Sequence, residues 1–356
     1  MNKDLIKFIF KLIILFLLVW GIFAVVVRNF GMYVYDEEYA SYKETLDYVN
    51  NKMNDNSEVL IFGDSTAKAA IIPELIHDKT YNLAMAGSTP IESYYMFENY
   101  LINHKKPKTV ILMYYMAGLD VIGDFFWDRT VYFDCLKYKE FQEIYQTGLF
   151  PDKNGMFKFM EYKLCLPNKY YAPLKNALLE DRYEINAKEY KTSKKNRGQH
   201  YFGTKESFAP DNVPIKSREH FKPLPIVELY LNKIIQVCID NDINVIIEQH
   251  PINLSTKINM QESFRLEYVA FMEKLQSKYP SIKVNTEINV QPDTWFGDFI
   301  HCNKEGATGV TNNIANKYID ILAKEMEVEF RVDSTNPEEA VKVNKVQPTN
   351  ITNITK

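Results

Sequence analysis

The chain lacks most marks of the commoner binding classes. It has no basic excess: 42 Lys and Arg face 46 Asp and Glu, a formal net charge of −4. Nucleic-acid binding draws on cations that neutralise phosphates, so no nucleic-acid partner is expected. Its only cysteines are Cys135, Cys165, Cys238 and Cys302, none in a C-x-x-C pair. That excludes a zinc ribbon or a thioredoxin-type site. Outside the membrane they could pair, but a domain of this size needs no staples, so buried free thiols are favoured. No internal repeat is present. Long-range disorder is excluded for most of the chain, because 46% apolar and 25% charged residues are the balance of a protein with a core. Aromatics reach 14%, with 24 Tyr and 22 Phe, which suits a wide core, a carbohydrate-facing surface or a membrane-facing one. Among the polar residues Lys and Asn dominate, as in proteins from AT-rich bacterial genomes.

One hydrophobic run is long. Residues 5–27 are apolar except for Lys7 and Lys11, and as a helix they span roughly 34 Å, enough for a hydrocarbon core of about 30 Å. Lys3, Lys7 and Lys11 mark one end, where cationic stems snorkel to the interface. Arg28 and then Asp36, Glu37 and Glu38 follow the other. The positive-inside rule places the N-terminus in the cytoplasm and the rest outside. No small-x-small cleavage site follows the run, since Phe23 and Val25 flank Ala24. Residues 1–28 are therefore expected to remain as an anchor in the lipid bilayer, with 29–57 a membrane-proximal helix and linker.

Beyond a helix expected from Glu37 to Met53 and a polar stop at Asn54–Ser57, short apolar runs alternate with helical ones. Strands are expected at 59–62, 81–84, 109–114, 244–248 and, weakly, 282–284. Helices are expected at 91–101, 227–240, 261–279 and 306–324. This alternation predicts an α/β fold with a parallel sheet between helical layers, α/β/α, over residues 58–325. In such sheets the site lies outside the carboxyl ends of the strands. Residues 119–225 are too long for an ordinary connection and read as a partly helical insertion covering that edge. Residues 333–356 read as a disordered tail, their two Asn-Ile-Thr sequons accidental.

Of the six histidines, His77 ends a helix on the far side of a turn, His104 falls at the wrong sheet edge, and His200 and His220 sit in the insertion. His250 follows the fourth strand, and His301 precedes the final helix. Gly63-Asp64-Ser65 follows the first strand, where a Ser hydroxyl projects from the carboxyl edge and its N–H begins a helix. A Ser there is also a good helix cap, and the tripeptide does not choose. Gly87, past the second strand, could bring a backbone N–H to a ligand or simply make a turn. Asp298, three residues before His301, could orient its ring, or the pair could be an ordinary surface loop.

Taken in order along the sheet, Gly-Asp-Ser, the Gly after the second strand and Asp-x-x-His before the last helix resemble the SGNH (GDSL-type) hydrolase superfamily. The resemblance covers about 55–325, with the insertion unmatched. It implies a flavodoxin-like sheet, Ser65 as nucleophile, His301 as base, Asp298 as orienter, and the N–H groups of Ser65 and Gly87 as oxyanion donors. The family's Gly-x-Asn-Asp after the third strand is absent: the stretch reads Tyr114-Tyr115-Met116-Ala117-Gly118-Leu119-Asp120. That loss and the anchor are similar to membrane-anchored acyl-transfer proteins of cell envelopes, including teichoic-acid D-alanyl transfer (DltD) proteins and alginate-type O-acetyltransferases. His250-Pro251-Ile252-Asn253 resembles a Pro-[Val/Ile]-Asn loop of the former, so His250 and Asn253 are expected in a substrate loop. The resemblance implies an acyl transferase acting on a cell-surface polymer beside a membrane-bound O-acyltransferase, with no metal or cofactor. The alternatives are a surface esterase or deacylase using the same residues, and a non-catalytic scaffold.

Overall fold

The computed structural model describes residues 3–51, 57–177, 179–202 and 218–322. The polar stop at Asn54–Asn56, the 333–356 tail and its sequons lie outside the described residues.

The first helix, α1 (Lys3–Asn29), is the apolar run. It is long and apolar enough to cross a membrane, and among its residues Val27 alone is buried. A short α2 (Gly31–Val34) and α3 (Glu37–Asn50) follow, α3 ending three residues before the expected Met53.

β1 (Val59–Gly63) leads through α4 (Ser65–Ala70) and α5 (Pro73–Ile76) to β2 (Thr80–Asn82). Then come α6 (Pro90–Asn103) and β3 (Thr109–Tyr114). The insertion contributes α7 (Tyr138–Gln146), α8 (Gly155–Lys163), α9 (Pro167–Ala177) and α10 (Arg182–Lys195). After it stand α11 (Pro225–Asp240), β4 (Asn244–Gln249), β5 (Ile252–Asn253), α12 (Leu254–Asn259), α13 (Glu262–Lys278), β6 (Lys283–Val284), β7 (Val290–Gln291) and α14 (Lys304–Lys317). From Tyr318 the chain is a separate unit, whose described part is a short helix, Ile319–Leu322. The helix expected over 306–324 therefore breaks after Lys317.

The main sheet is parallel throughout, in the order β2-β1-β3-β4-β6. That is the doubly wound order whose switch point lies between its first and third strands. β1 and β3 are buried along their whole lengths, which is why they read as unbroken apolar runs. Their alternate residues face two cores. Leu60, Phe62, Val110, Leu112, Val245 and Ile247 join the larger one, where Phe62 meets Phe97 of α6 edge to face. α6 packs between α3 and α11, while α14 packs on α4 and α5. There Thr311 Oγ1 donates to Ala70 O and accepts from Ile72 N–H. Gly63 is required where β1 meets β3, since a Cβ on it would fall 1.9 Å from Met113 O.

Unforeseen from sequence is a second, two-stranded parallel pairing of β5 with β7. All four cysteines are buried free thiols.

Candidate active site

Ser65 opens α4 directly at the end of β1. Asp64 caps that helix: its Oδ1 accepts from Thr66 N–H at 2.8 Å and Thr66 Oγ1 at 2.6 Å, while Oδ2 accepts from Tyr115 N–H at 2.9 Å. One buried carboxylate thus ties the turn after β1 to the loop after β3, across the switch point. Burial raises its pKa against the pull of these donors. As the first residue of α4, Ser65 has an N–H without an intrahelical acceptor, and the helix terminus favours negative charge beside it.

The loop before α14 delivers the rest. His301 Nε2 lies 2.7 Å from Ser65 Oγ, and its Nδ1 lies 2.7 Å from Asp298 Oδ2. Asp298 Oδ1 also accepts the N–H groups of Ile300 at 2.9 Å and His301 at 2.7 Å. Burial raises the Asp298 carboxyl, but hydrogen bonds from His301 and the backbone outweigh it and hold the group below its ordinary value. Nδ1 of His301 must donate to that carboxylate, which leaves Nε2 to accept the Ser65 proton.

Gly87 sits across the cavity with φ +67°, and a Cβ there would meet the Phe125 side chain at 2.7 Å. Its turn is pinned from three sides. Tyr42 OH donates to Ala86 O, and Ser88 Oγ donates to Gly63 O at 2.8 Å. Buried Glu92 accepts from Thr89 N–H and Oγ1 on one oxygen and from Thr130 Oγ1 of the insertion on the other. The Thr-x-x-Glu capping box of α6 is a signal the sequence reading missed, and its link to Thr130 has no local signal at all.

Ser65, Gly87 and His301 line one cavity of about 380 Å³. Ala86, Ala117, Val121, Phe125, Phe202 and Phe299 make much of its wall apolar, so the insertion supplies part of the cover. Two ion pairs frame it, Arg129 with Glu38 and Arg218 with Asp120. Ala117 and Gly118 of the loop after β3 also line the cavity, and they carry no donor side chain. A separate, more polar hollow around Glu248 and Asn285 contains none of the residues just described.

His250 and Asn253 are not substrate-facing. Both are buried and hold the loop that carries His301. His250 Nε2 donates to Ile300 O at 2.6 Å, and Asn253 Nδ2 donates to Phe299 O at 2.9 Å while its Oδ1 caps α12 at Thr256 N–H. The resemblance of the loop to a substrate-binding motif concealed a clamp: β5 pairs with β7 there and turns these side chains inward.

Burial pushes the His250 imidazole down to about 3, so it is neutral in the folded protein, with Nδ1 buried and unpartnered. Unfolded, it titrates near 6.5. Between these values the unfolded chain holds the extra proton, so stability falls as pH falls from about 6.5 toward 3. The expected slope from this group approaches about 1.4 kcal/mol per pH unit within that window. Urea unfolding in detergent at pH 7.5, 5.5 and 4.5 measures it. His250→Gln, which can still donate to Ile300 O, should flatten the slope; equal slopes in the two proteins would disprove the assignment.

Lys68 lies one turn past Ser65 but serves elsewhere. It is buried, and its Nζ donates to Ala84 O at 3.0 Å. Burial pushes it down to about 8, opposed by Glu44 and Glu189. Among the other histidines, His104 bonds Tyr48 O, His200 pairs with Glu189 and His220 with Glu267. Among the described residues no cluster of three His, Cys, Asp or Glu side chains suits a metal ion. Cys302, adjacent to His301, is fully buried, and that burial drives its thiol far above its ordinary value.

No protein-family model matches the sequence, and no curated protein matches it.

Proposed function

We propose that the chain is a membrane-anchored serine acyltransferase of the SGNH type, acting outside the cytoplasmic membrane. It would move a small acyl group onto a hydroxyl of a cell-envelope polymer, with a membrane-bound O-acyltransferase supplying the donor. The observation that carries the reading is the His301 ring, bonded to Ser65 on one nitrogen and to Asp298 on the other. It sits at the carboxyl edge of a parallel sheet beside the positive-φ Gly87.

In this reading Ser65 Oγ attacks the acyl carbon and His301 Nε2 takes its proton. The oxyanion is held by the N–H groups of Ser65 and Gly87. The intermediate collapses, the leaving thiol or alcohol takes the proton from His301, and Ser65 retains the acyl group. The polymer hydroxyl then gives its proton to His301 and attacks the ester, and Ser65 recovers that proton as it departs.

Transfer rather than hydrolysis is supported by three features. The stretch after β3, residues 114–120, lacks the Asn that gives the resembled family a further oxyanion donor, a loss on the order of 10²–10³ in rate that an energy-rich donor tolerates better than a stable ester. The apolar wall limits water around the acyl-enzyme. Glu38 of the cavity lies only ten residues beyond Arg28, which keeps the site close to a membrane-delivered donor.

Deleting the gene is expected to lower ester-linked acyl groups on a surface polymer, read by base-released acyl analysis. Wild type should restore them and Ser65→Ala should not. A rise in acylation on deletion would instead identify a deacylase with the same residues.

A further inference from the structure

The insertion makes a second contact with the lipid bilayer, through the α8–α9 corner and the exposed face of α9; this we infer from where α1 meets it, and it rests on the reading that α1 crosses the membrane. α1 is not a free stalk up to its last residue. Trp20 Nε1 donates to Leu164 O at 2.9 Å, Arg28 donates to Lys163 O, and Phe23 packs edge to face on Tyr170 of α9. The corner at 163–164 therefore stands level with the middle of Trp20–Arg28.

The depth of that level follows from helix geometry. A hydrocarbon core of about 30 Å takes about 20 helical residues. Counted from Lys3 the outer boundary falls near Phe23, and counted from Lys7 it falls near Val27. Any tilt moves it further toward Arg28. The α8–α9 corner thus lies at the outer edge of the hydrocarbon.

The surface there has the matching chemistry. Leu164 is 45% exposed and Tyr171 of α9 is 65% exposed. Within α2, Tyr33 is half exposed and stacks on Tyr183 of α10 at 4.4 Å between ring centres. Trp20 and Tyr171, near the level of the α8–α9 corner, are of the aromatic kind that sits at headgroup level. Lys175, exposed in the last turn of α9, suits an anionic headgroup layer, whereas Lys169 is paired with Glu161. Burying Leu164 and Tyr171 in the interface removes apolar surface that would otherwise face water. A single helix leaves a domain free to swing; two contacts fix which side of it faces the bilayer.

The test uses the full chain in nanodiscs of phosphatidylglycerol and phosphatidylethanolamine. Leu164→Cys, Tyr171→Cys, Leu12→Cys and Ile102→Cys are each labelled with bimane, the four native cysteines being buried. Labelling of Ser65 by a serine-directed phosphonate checks that each variant is folded. Lipids carrying a doxyl quencher near the headgroup should dim the labels at 164 and 171 by about threefold, and quenchers deep in the chain should act less. Leu12 should show the reverse order, and Ile102, exposed at the end of α6, should be unaffected. If Leu12 is quenched while 164 and 171 respond like Ile102, the second contact is wrong and the anchor stands. If Leu12 is also unquenched, α1 does not cross and both readings fall. Labels at 164 and 171 shielded from iodide yet blind to doxyl lipid would mean that a second copy of the chain covers this face, which also overturns the proposal.

Discussion

Ser65→Ala is expected to abolish phosphonate labelling and to lower acyl-enzyme formation from a small thioester by on the order of 10⁶. The reason is geometric: in the proposed reading Ser65 Oγ is the nucleophile, and His301 Nε2 lies 2.7 Å from it. His301→Ala should cost nearly as much, because an unassisted serine hydroxyl is a weak nucleophile at neutral pH. The double variant should be no worse than either single one, since the two groups act as a unit. Single-turnover kinetics with mass spectrometry of the acyl-enzyme would read all three. A Ser65→Ala protein that still acylates, or a double variant whose losses multiply, would refute the assignment.

Asp298→Asn is expected to lower the same rate by about 10⁴ while leaving the fold intact, as when a triad loses its orienting carboxylate. The amide oxygen can still accept from the Ile300 and His301 N–H groups, which Asp298 Oδ1 now serves. The amide nitrogen then faces His301 Nδ1 and donates to it. That stabilises the imidazole tautomer with its proton on Nε2, the nitrogen that must take the Ser65 proton. Thermal unfolding should shift by only a few degrees, a readout that separates a tautomer effect from collapse of the loop. Activity within tenfold of wild type would show that another group orients His301. Glu248, the buried carboxylate of β4, does not serve that role in this structure: it is engaged with Asn285 and Lys317.

The local signals in the chain were strong where one residue or one short period carries the information. The unbroken apolar runs of β1, β3 and β4 announced buried parallel strands, because a strand covered on both faces has no polar side to show. The Asp-x-x-His spacing brings carboxylate and imidazole together within a single turn, so Asp298 and His301 could be paired from sequence. The place of Ser65 at the end of the first strand followed from strand order. The helix that suits a membrane was equally plain, since its length and apolarity are properties of the run itself.

Other features depend on residues far apart in sequence. His250 and Asn253 looked like a substrate loop, yet β5 pairs with β7 and turns them onto the carbonyls of Ile300 and Phe299, some fifty residues away. Asp64 reaches Tyr115 only because β1 and β3 are neighbours. Glu92 closes a local capping box, but only the insertion brings Thr130 to its second oxygen. The walls at Phe125 and Phe202, and the seat of α8 and α9 against α1, belong to an insertion whose periodicity marks helices without saying what they touch. Short-range spacing determines which groups can act; burial and long-range pairing decide which face the reacting atoms and which hold the loop that carries them.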